Sequence, residues 1–345
     1  VTEQANEDWT TGQAEVLASR IWGITGKARL LASERDANFR IDPADGRAAQ
    51  VLKITHPDED PAIAAFQSEA LVHARTADPT LPVPNVMPTL SGAAWHRLDG
   101  ARPRIARMVG WLDGTPLADA PVSAAFREAA GALLARLDLA LHGFPGDVPA
   151  HEGFVWDLSQ AAALRALLPH VEDEGARALA ARALDTFADE IAPRLTAMRR
   201  QVIHNDMNPH NILIDPAAPH RPAAIIDFGD MVEAPLVNEL GIALAYQPVD
   251  GPDPLAAMAE FAAGYARVLP LLPDEVDVLP GLIGARRATT VVVSSWRAAT
   301  QPENRAYLLR NMPGAVAGLA AFAALTPGAA VACLADACAT EGDRA

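Results

Sequence analysis

The chain has 345 residues, half of them apolar and about a fifth charged (50% and 21%), the composition of an ordinary soluble globular protein with one large or two moderate domains. Its net charge of −15 and pI near 5.0 argue against general binding to nucleic acid or an anionic membrane surface, and suit a cationic small-molecule partner. Two cysteines, Cys333 and Cys338, exclude a disulfide framework and fit a reducing, cytoplasmic setting.

The opening VTEQANEDWTTGQ is acidic and polar, unlike a signal or transit peptide. Val16, Leu17, Ile21 and Trp22 predict a short amphipathic helix over 14–22, stopped by Gly23. Strands are expected over 28–31 and 38–41, joined around Ser33 to Asp36. Asp45-Gly46 is a hairpin signal, and QVLKIT over 50–55 reads as the next strand. Within it Lys53 alternates with Leu52 and Ile54, so it either faces water or reaches an anion. Asp60-Pro61 opens a helix over 60–77, whose apolar stripe is Ile63, Phe66, Ala70, Leu71 and Ala74, with Glu69 beside it. LPVPNVMP is extended, and strands over 93–98 and 104–111 lead to Gly110, Trp111 and Leu112.

Beyond that point the pattern turns helical. Helices are predicted over 122–143, 158–171, 174–198, 238–246, 254–269, 274–300 and 304–312. The apolar run over 315–338 is interrupted by Pro327 and Gly328 into pieces shorter than the roughly 18 residues a membrane span needs, and reads as two buried helices.

The densest chemistry lies in VIHNDMNPHNILIDPAAPHRPAAIIDFGD, beginning at Val202. Two short apolar strands each end in polar residues: His204, Asn205, Asp206 and Asn211 after the first, Asp227, Phe228, Gly229 and Asp230 after the second. The order H-x-D-x(4)-N, then I-D-F-G, suits phosphoryl transfer: one Asp orients and deprotonates a hydroxyl, while an Asn and a second Asp hold Mg²⁺ on nucleotide phosphates. His210 adjoins a candidate ligand, but oxygen donors dominate, which favours Mg²⁺ over zinc.

These segments resemble the catalytic and metal motifs of the protein-kinase-like superfamily, and more closely the aminoglycoside phosphotransferase family of small-molecule kinases. Phe228-Gly229-Asp230-Met231-Val232 and Asn238-Glu239-Leu240 look like its hydroxylysine kinase branch; Gly241 stands where an Ala is expected, a change given little meaning. The resemblance implies an α+β, two-lobe fold: a β-rich nucleotide-binding lobe over 1–109, and a mostly helical lobe over 110–345 with the catalytic loop, metal and acceptor sites. It implies Asp206 as the catalytic residue, Asn211 and Asp227 as Mg²⁺ ligands, and His204 as structural support. Lys53 paired with Glu69 would face the α/β-phosphates of ATP or GTP. There is no G-x-G-x-x-G and no P-loop; SERDANF instead resembles the family's polar loop, with Ser33, Asn38 and Phe39 near the phosphates, or is only a hairpin tip. Gly110 and Leu112 would meet the base through their backbone.

Asn205 stands where protein kinases carry Arg, and no long activation loop follows Asp230, which disfavours a protein substrate. Asp230 and Glu233 are candidates for an ammonium-bearing acceptor, and Glu239 for a helix brace. Arg286, Arg287 and Trp296 either form a carboxylate clamp with an aromatic wall or brace their helix. The expected activity is phosphate transfer to a small amino alcohol or hydroxy amino acid. Aminoglycoside modification and a silent nucleotide-binding regulatory module remain as alternatives.

Overall fold

A computed structural model of the chain describes residues 9–33, 36–151, 153–326 and 328–339. They divide into two compact units. The first takes the described residues up to Asp113 together with Phe144–His151; the second takes Gly114–Gly143 and the described residues beyond 152.

The first unit opens with α1 (Thr11–Trp22). Thr10 and Gln13 cap it reciprocally, and Gly23 ends it in the left-handed region at φ 66°. Five strands follow: β1 (Gly26–Leu30), β2 (Ala37–Pro43), β3 (Gln50–Ile54), β4 (His96–Leu98) and β5 (Arg104–Gly110). They form an antiparallel sheet in the order β1-β2-β3-β5-β4. Period-two alternation sends Phe39, Ile41, Leu52, Ile54, Ala106 and Met108 to one face, where Leu17, Ala18 and Trp22 of α1 cover them. Helix α2 (Pro61–Ala77) starts at Asp60, whose carboxylate accepts from the Ala62 amide. Sequence put Phe144–His151 with the helical part; the ring of Phe144 lies edge-on to Phe66 and His73 of α2 (5.8 and 5.7 Å), which ties that segment to the first unit.

In the second unit β6 (Thr115–Pro116), β8 (Ile212–Ile214) and β9 (Pro222–Ile225) form one small sheet, and β7 (Arg200–Ile203) pairs with β10 (Val232–Pro235) in another. The rest is helical: α3 (Ala124–Leu141), α4 (Glu174–Thr186), α5 (Ala192–Leu195), α6 (Val237–Ala245), α7 (Ala256–Ala266), α8 (Pro273–Thr300), α9 (Arg305–Leu308), α10 (Met312–Ala324) and α11 (Ala329–Cys338). Helices α3 and α7 cross with backbones in contact: a Cβ on Gly131 would strike the Phe261 carbonyl, and one on Gly264 the carbonyl of Glu128. The long α8 packs against α4, α6, α10 and α11 and is buried along most of its length.

Several helices depart from the periodicity. The expected helix over 174–198 breaks into α4, a π-turn over Phe187–Ile191 and α5, where Pro193 lacks the N–H that would continue the ladder. Residues Leu158–His170 wind as 3-10 rather than α-helix, and the expected helix over 304–312 shrinks to a 3-10 turn and α9. The last two helices are not buried throughout: each covers one side only, through Ala315, Gly318 and Leu319, and through Ala330, Leu334 and Cys338. Alanine marks neither face of a helix strongly, so periodicity could not separate these cases. No single helix among the described residues is long and apolar enough to cross a membrane.

Candidate active site

Strand β7 delivers the chain into the loop that begins at His204. That ring is buried, donates from Nε2 to the Ile226 carbonyl (3.1 Å) and accepts the Asp206 amide at Nδ1 (3.2 Å). Phe228 packs edge-on to the same ring at 4.7 Å. Asn205 takes a left-handed backbone at φ 66°, a conformation asparagine tolerates better than most residues. Its amide donates to Glu239 Oε2 (3.0 Å) and its side chain donates to the Asp230 carbonyl (3.0 Å), so the turn is anchored on both sides.

The turn presents Asp206 with its side chain 18% exposed. Oδ1 accepts from Arg286 Nη2 (2.8 Å); Oδ2 accepts from Asn208 Nδ2 (2.7 Å) and Asn211 Nδ2 (2.8 Å). Three donors fix the carboxylate's plane, and its residual exposure leaves room for a further, external partner. Arg286 is itself buried. Its Nη1 donates to the Trp156 carbonyl (3.0 Å), its Nη2 also donates to Tyr246 Oη (3.1 Å), and the guanidinium lies over the Trp156 ring at 5.0 Å. Of the two readings of Arg286, clamp or brace, the structure bears out a brace, and its object is Asp206 rather than the helix that carries it. Sequence reasoning also passed over Asn208 and Tyr246. Asn208, two residues after Asp206, carried a local signal; Arg286 and Tyr246 are distant in sequence, and only packing brings them there.

Glu239 is fully buried, and desolvation first of all raises its pKa, opposed by His204 and by the amides it accepts. Asp138, on α3, is also buried and receives the Tyr265 hydroxyl at 2.6 Å; burial and then the nearby Glu239 push its pKa well above 3.8. Together they form a buried acidic support under the loop. The helix-brace expectation for Glu239 becomes a loop brace.

The second acidic strand end follows β9. Ile226 N–H donates to the Asn211 carbonyl (2.9 Å), coupling the two polar segments, and Asp227 is exposed in a left-handed conformation at φ 63°. With Asn211 Nδ2 committed to Asp206, its Oδ1 is the atom that remains for a cation. One amide oxygen and one exposed carboxylate are hard donors, a set that fits Mg²⁺ completed by phosphate oxygens and water. No cluster of three or more His, Cys, Asp or Glu suited to a metal occurs among the described residues. His210 accepts from Arg310 Nε (3.3 Å), and burial, then Arg310, lowers its pKa. Asp230 is half-buried and its carbonyl receives Asn205. Glu233 does not line the loop: it is exposed on β10 and its carboxylate lies 3.7 Å from Arg200, correcting its assignment to the acceptor.

In the first unit, Asn38, Lys53 and Arg107 stand directly opposite one another across β2, β3 and β5, on the face away from α1. Asn38 Oδ1 is buried with no hydrogen-bond partner among the described residues. Ser33 is half-buried at the β1–β2 turn, whose Glu34 and Arg35 lie outside the described residues. Phe39 is wholly buried in the sheet core, which corrects its placement beside phosphate. Glu69 is also corrected: it is exposed, off the buried stripe of α2, and accepts from the Trp95 indole (3.2 Å). Gly110 N–H is committed to the Asn85 carbonyl (2.8 Å), and Leu112 follows β5 half-buried.

A cavity of about 310 Å³ adjoins the loop in the second unit, lined by Pro209, Tyr246, Asp250, Arg287, Thr290 and Arg310 among others. Arg287 Nε donates to the Ala245 carbonyl at the end of α6 (3.0 Å), its guanidinium sits 4.8 Å from the Phe322 ring, and any Cβ on Gly318 would strike it. Trp296 is half-buried on α8 and is not among the cavity's lining residues.

An oriented, partly exposed carboxylate beside a pair of hard cation ligands can take a proton from an alcohol while a bound cation carries phosphate charge. Comparison with known proteins gives the same direction. Hydroxylysine kinase of Mus musculus is 28% identical over 322 residues, covering 87% of this chain and 86% of that protein. The Danio rerio protein of the same name is 27% identical over 323 residues, covering 89% and 90%. Among solved structures, a microcompartment-associated aminopropanol kinase aligns with TM-score 0.60 at 20% identity over 95% of this chain and 99% of its own. An amicoumacin kinase in complex with AMP-PNP, Ca²⁺ and Ami aligns with TM-score 0.65 at 12% identity, over 90% and 96%. These two share the α+β, kinase-like fold. The phosphotransferase enzyme family matches residues 27–271, a span that holds the five-stranded sheet, the Asp206 loop and Asp227, and the chain belongs to that family.

Proposed function

We propose that the protein transfers the γ-phosphate of ATP or GTP, with Mg²⁺, to the hydroxyl of a small amino alcohol or hydroxy amino acid. The observation that carries this is the carboxylate of Asp206, held by Arg286, Asn208 and Asn211 and still partly exposed. The acceptor oxygen bonds to the γ-phosphorus as the bond to the bridging oxygen breaks, the nucleoside diphosphate leaves, and the hydroxyl proton passes to Asp206. Such a step draws mainly on positioning and charge neutralisation rather than on strong basicity. Asn211 Oδ1 and Asp227 would hold Mg²⁺, which when bound neutralises phosphate charge.

Lys53 is the cation assigned to the polyphosphate, with Asn38 beside it; its other cross-strand neighbour, Arg107, is buried and donates to the Ala64 carbonyl. Since the Gly110 amide is committed to Asn85, donation to the base is assigned to Leu112 and Gly110 contributes at most its carbonyl. The relatives named hydroxylysine kinase favour a small hydroxy amino acid over an aminoglycoside as acceptor. The test is nucleoside diphosphate release with Mg²⁺ and ATP or GTP over hydroxylysine, homoserine, ethanolamine, 1-aminopropan-2-ol, choline and kanamycin. Turnover on a small acceptor, lost in Asp206→Ala, supports the reading; turnover on kanamycin alone replaces it.

A further inference from the structure

Resting on that reading, we propose that the cavity beside the catalytic loop is a subsite for an α-amino-acid head group, with Arg287 and Arg310 receiving the acceptor's carboxylate and Asp250 its α-ammonium. All three line the same cavity, which adjoins the reacting carboxylate through one wall residue: Tyr246 lines it and receives Arg286, the arginine that holds Asp206.

Arg287 carries most of the argument. It is 1% exposed, yet among the described residues its hydrogen bonds run to the carbonyls of Ala245 and Gln247. Nη1 is buried with no hydrogen-bond partner among the described residues. Those bonds cap the carbonyls at the end of α6 and leave Nη1 over, and an incompletely paired buried cation is expensive to keep in a folded chain. Its neighbour Arg286, equally buried, shows the contrast: that one has the Asp206 carboxylate. Burial alone pulls the Arg287 pKa down to about 10, so the side chain stays charged at neutral pH and calls for an anion. A carboxylate suits the planar fork.

Arg310 supplies the second cation. It is exposed, stacked on Tyr307 at 3.7 Å and tethered through Nε to His210, so it is held at the rim rather than swinging in solvent. Asp250 brings the opposite charge into the same space. Two guanidinium groups with one carboxylate complement a zwitterion, and an amino alcohol would leave both arginines without an anion.

The experiment compares acceptors that differ only by the carboxylate: hydroxylysine against its decarboxylated counterpart, homoserine against 3-aminopropan-1-ol, and threonine against 1-aminopropan-2-ol. The expected kcat/KM favours the productive amino acid by about 100-fold or more over its partner, as when a polar site meets an analogue lacking its group. Arg310→Gln, at an exposed position, raises KM for that amino acid at least about 10-fold and moves that of its decarboxylated partner far less, so the ratio between them shrinks. Arg287→Gln collapses the same ratio. Asp250→Asn weakens both members of each pair alike, since both carry the ammonium. Equal turnover of paired acceptors, or a ratio unmoved by Arg310→Gln and Arg287→Gln, overturns the subsite while leaving the phosphotransferase reading in place. Turnover of amino alcohols alone does the same. Silence of every acceptor, with wild type indistinguishable from Asp206→Ala, overturns the reading beneath it.

Discussion

The two units build their polar sites by opposite means. In the first, Asn38, Lys53 and Arg107 ride on regular strands, and pleat and register alone put them in a row. In the second, Asn205 and Asp227 are the non-glycine residues with positive φ among those described, and the side chains that matter are held by partners far along the chain: Glu239 for the turn, Arg286 for Asp206. A strand-borne site inherits its precision from a sheet. A loop-borne site has to be braced residue by residue, and its braces are exposed to mutation.

That contrast is sharpest at Arg286. Arg286→Lys keeps the charge but loses the fork that reaches Asp206, Tyr246 and Trp156 together. The expected result is a fall in kcat of about 100-fold with little change in nucleotide KM, as for a misplaced reacting group. Arg286→Met adds a stability loss of about 3–5 kcal/mol, because it leaves a braced carboxylate without its cation; chemical denaturation measures it. A comparable loss in the first unit should be milder and of a different kind. Lys53→Met is expected to raise nucleotide KM roughly 10-fold, the value of one charge-assisted hydrogen bond, with kcat less affected than in Arg286→Lys. Equal effects of the two variants on kcat would erase the distinction.

Smaller effects test the supports. Gly241 lies on α6 where a Cβ would come within 2.7 Å of Leu282 Cβ on α8, so the glycine permits the close approach of the helices that carry Glu239 and Arg286. Gly241→Ala is expected to destabilise by about 1–3 kcal/mol, read as a lowered Tm. The expectation of an alanine here gave no hint of this, because the neighbour, Leu282, is distant in sequence. Asp138 gives the smallest and most specific signal. Its pKa is raised in the folded state by burial and then by Glu239, so the native protein keeps a proton that the unfolded chain releases above the ordinary 3.8. Stability from this group is therefore lost as pH rises from that value towards the folded one. Asp138→Asn removes the loss, and its Tm relative to wild type should grow more positive from pH 5 to pH 8; a difference that stays flat or shrinks would contradict the assignment.

What could be read from sequence divides along the same line. Strand alternation identified the face of Lys53, and Asp60 marked the start of α2, because both signals are local. The spacing of His204, Asp206, Asn211 and Asp227 was legible because two short strands and one turn set it. Glu69 and Glu233 were misread for one reason: a carboxylate near a motif says nothing of the side to which it turns, and here they meet Trp95 and Arg200. Phe39 was named with a loop and belongs to the core, where alternation with Asn38 puts it. Arg286 had no local signature at all. Adjacent arginines on a buried helix face do not reveal which one meets the catalytic turn and which one the neighbouring cavity, since a rotation of 100° separates them.

Asp206 is the central residue, and the direct measurement of its role is phosphorus NMR of the product formed from hydroxylysine, nucleoside triphosphate and Mg²⁺, with nucleotide binding followed in parallel. Wild type is expected to yield a phosphate ester on the hydroxyl oxygen. Asp206→Ala is expected to bind nucleotide normally while forming that ester about 10³–10⁴-fold more slowly. An ester formed at an unchanged rate by Asp206→Ala would contradict the role given to Asp206.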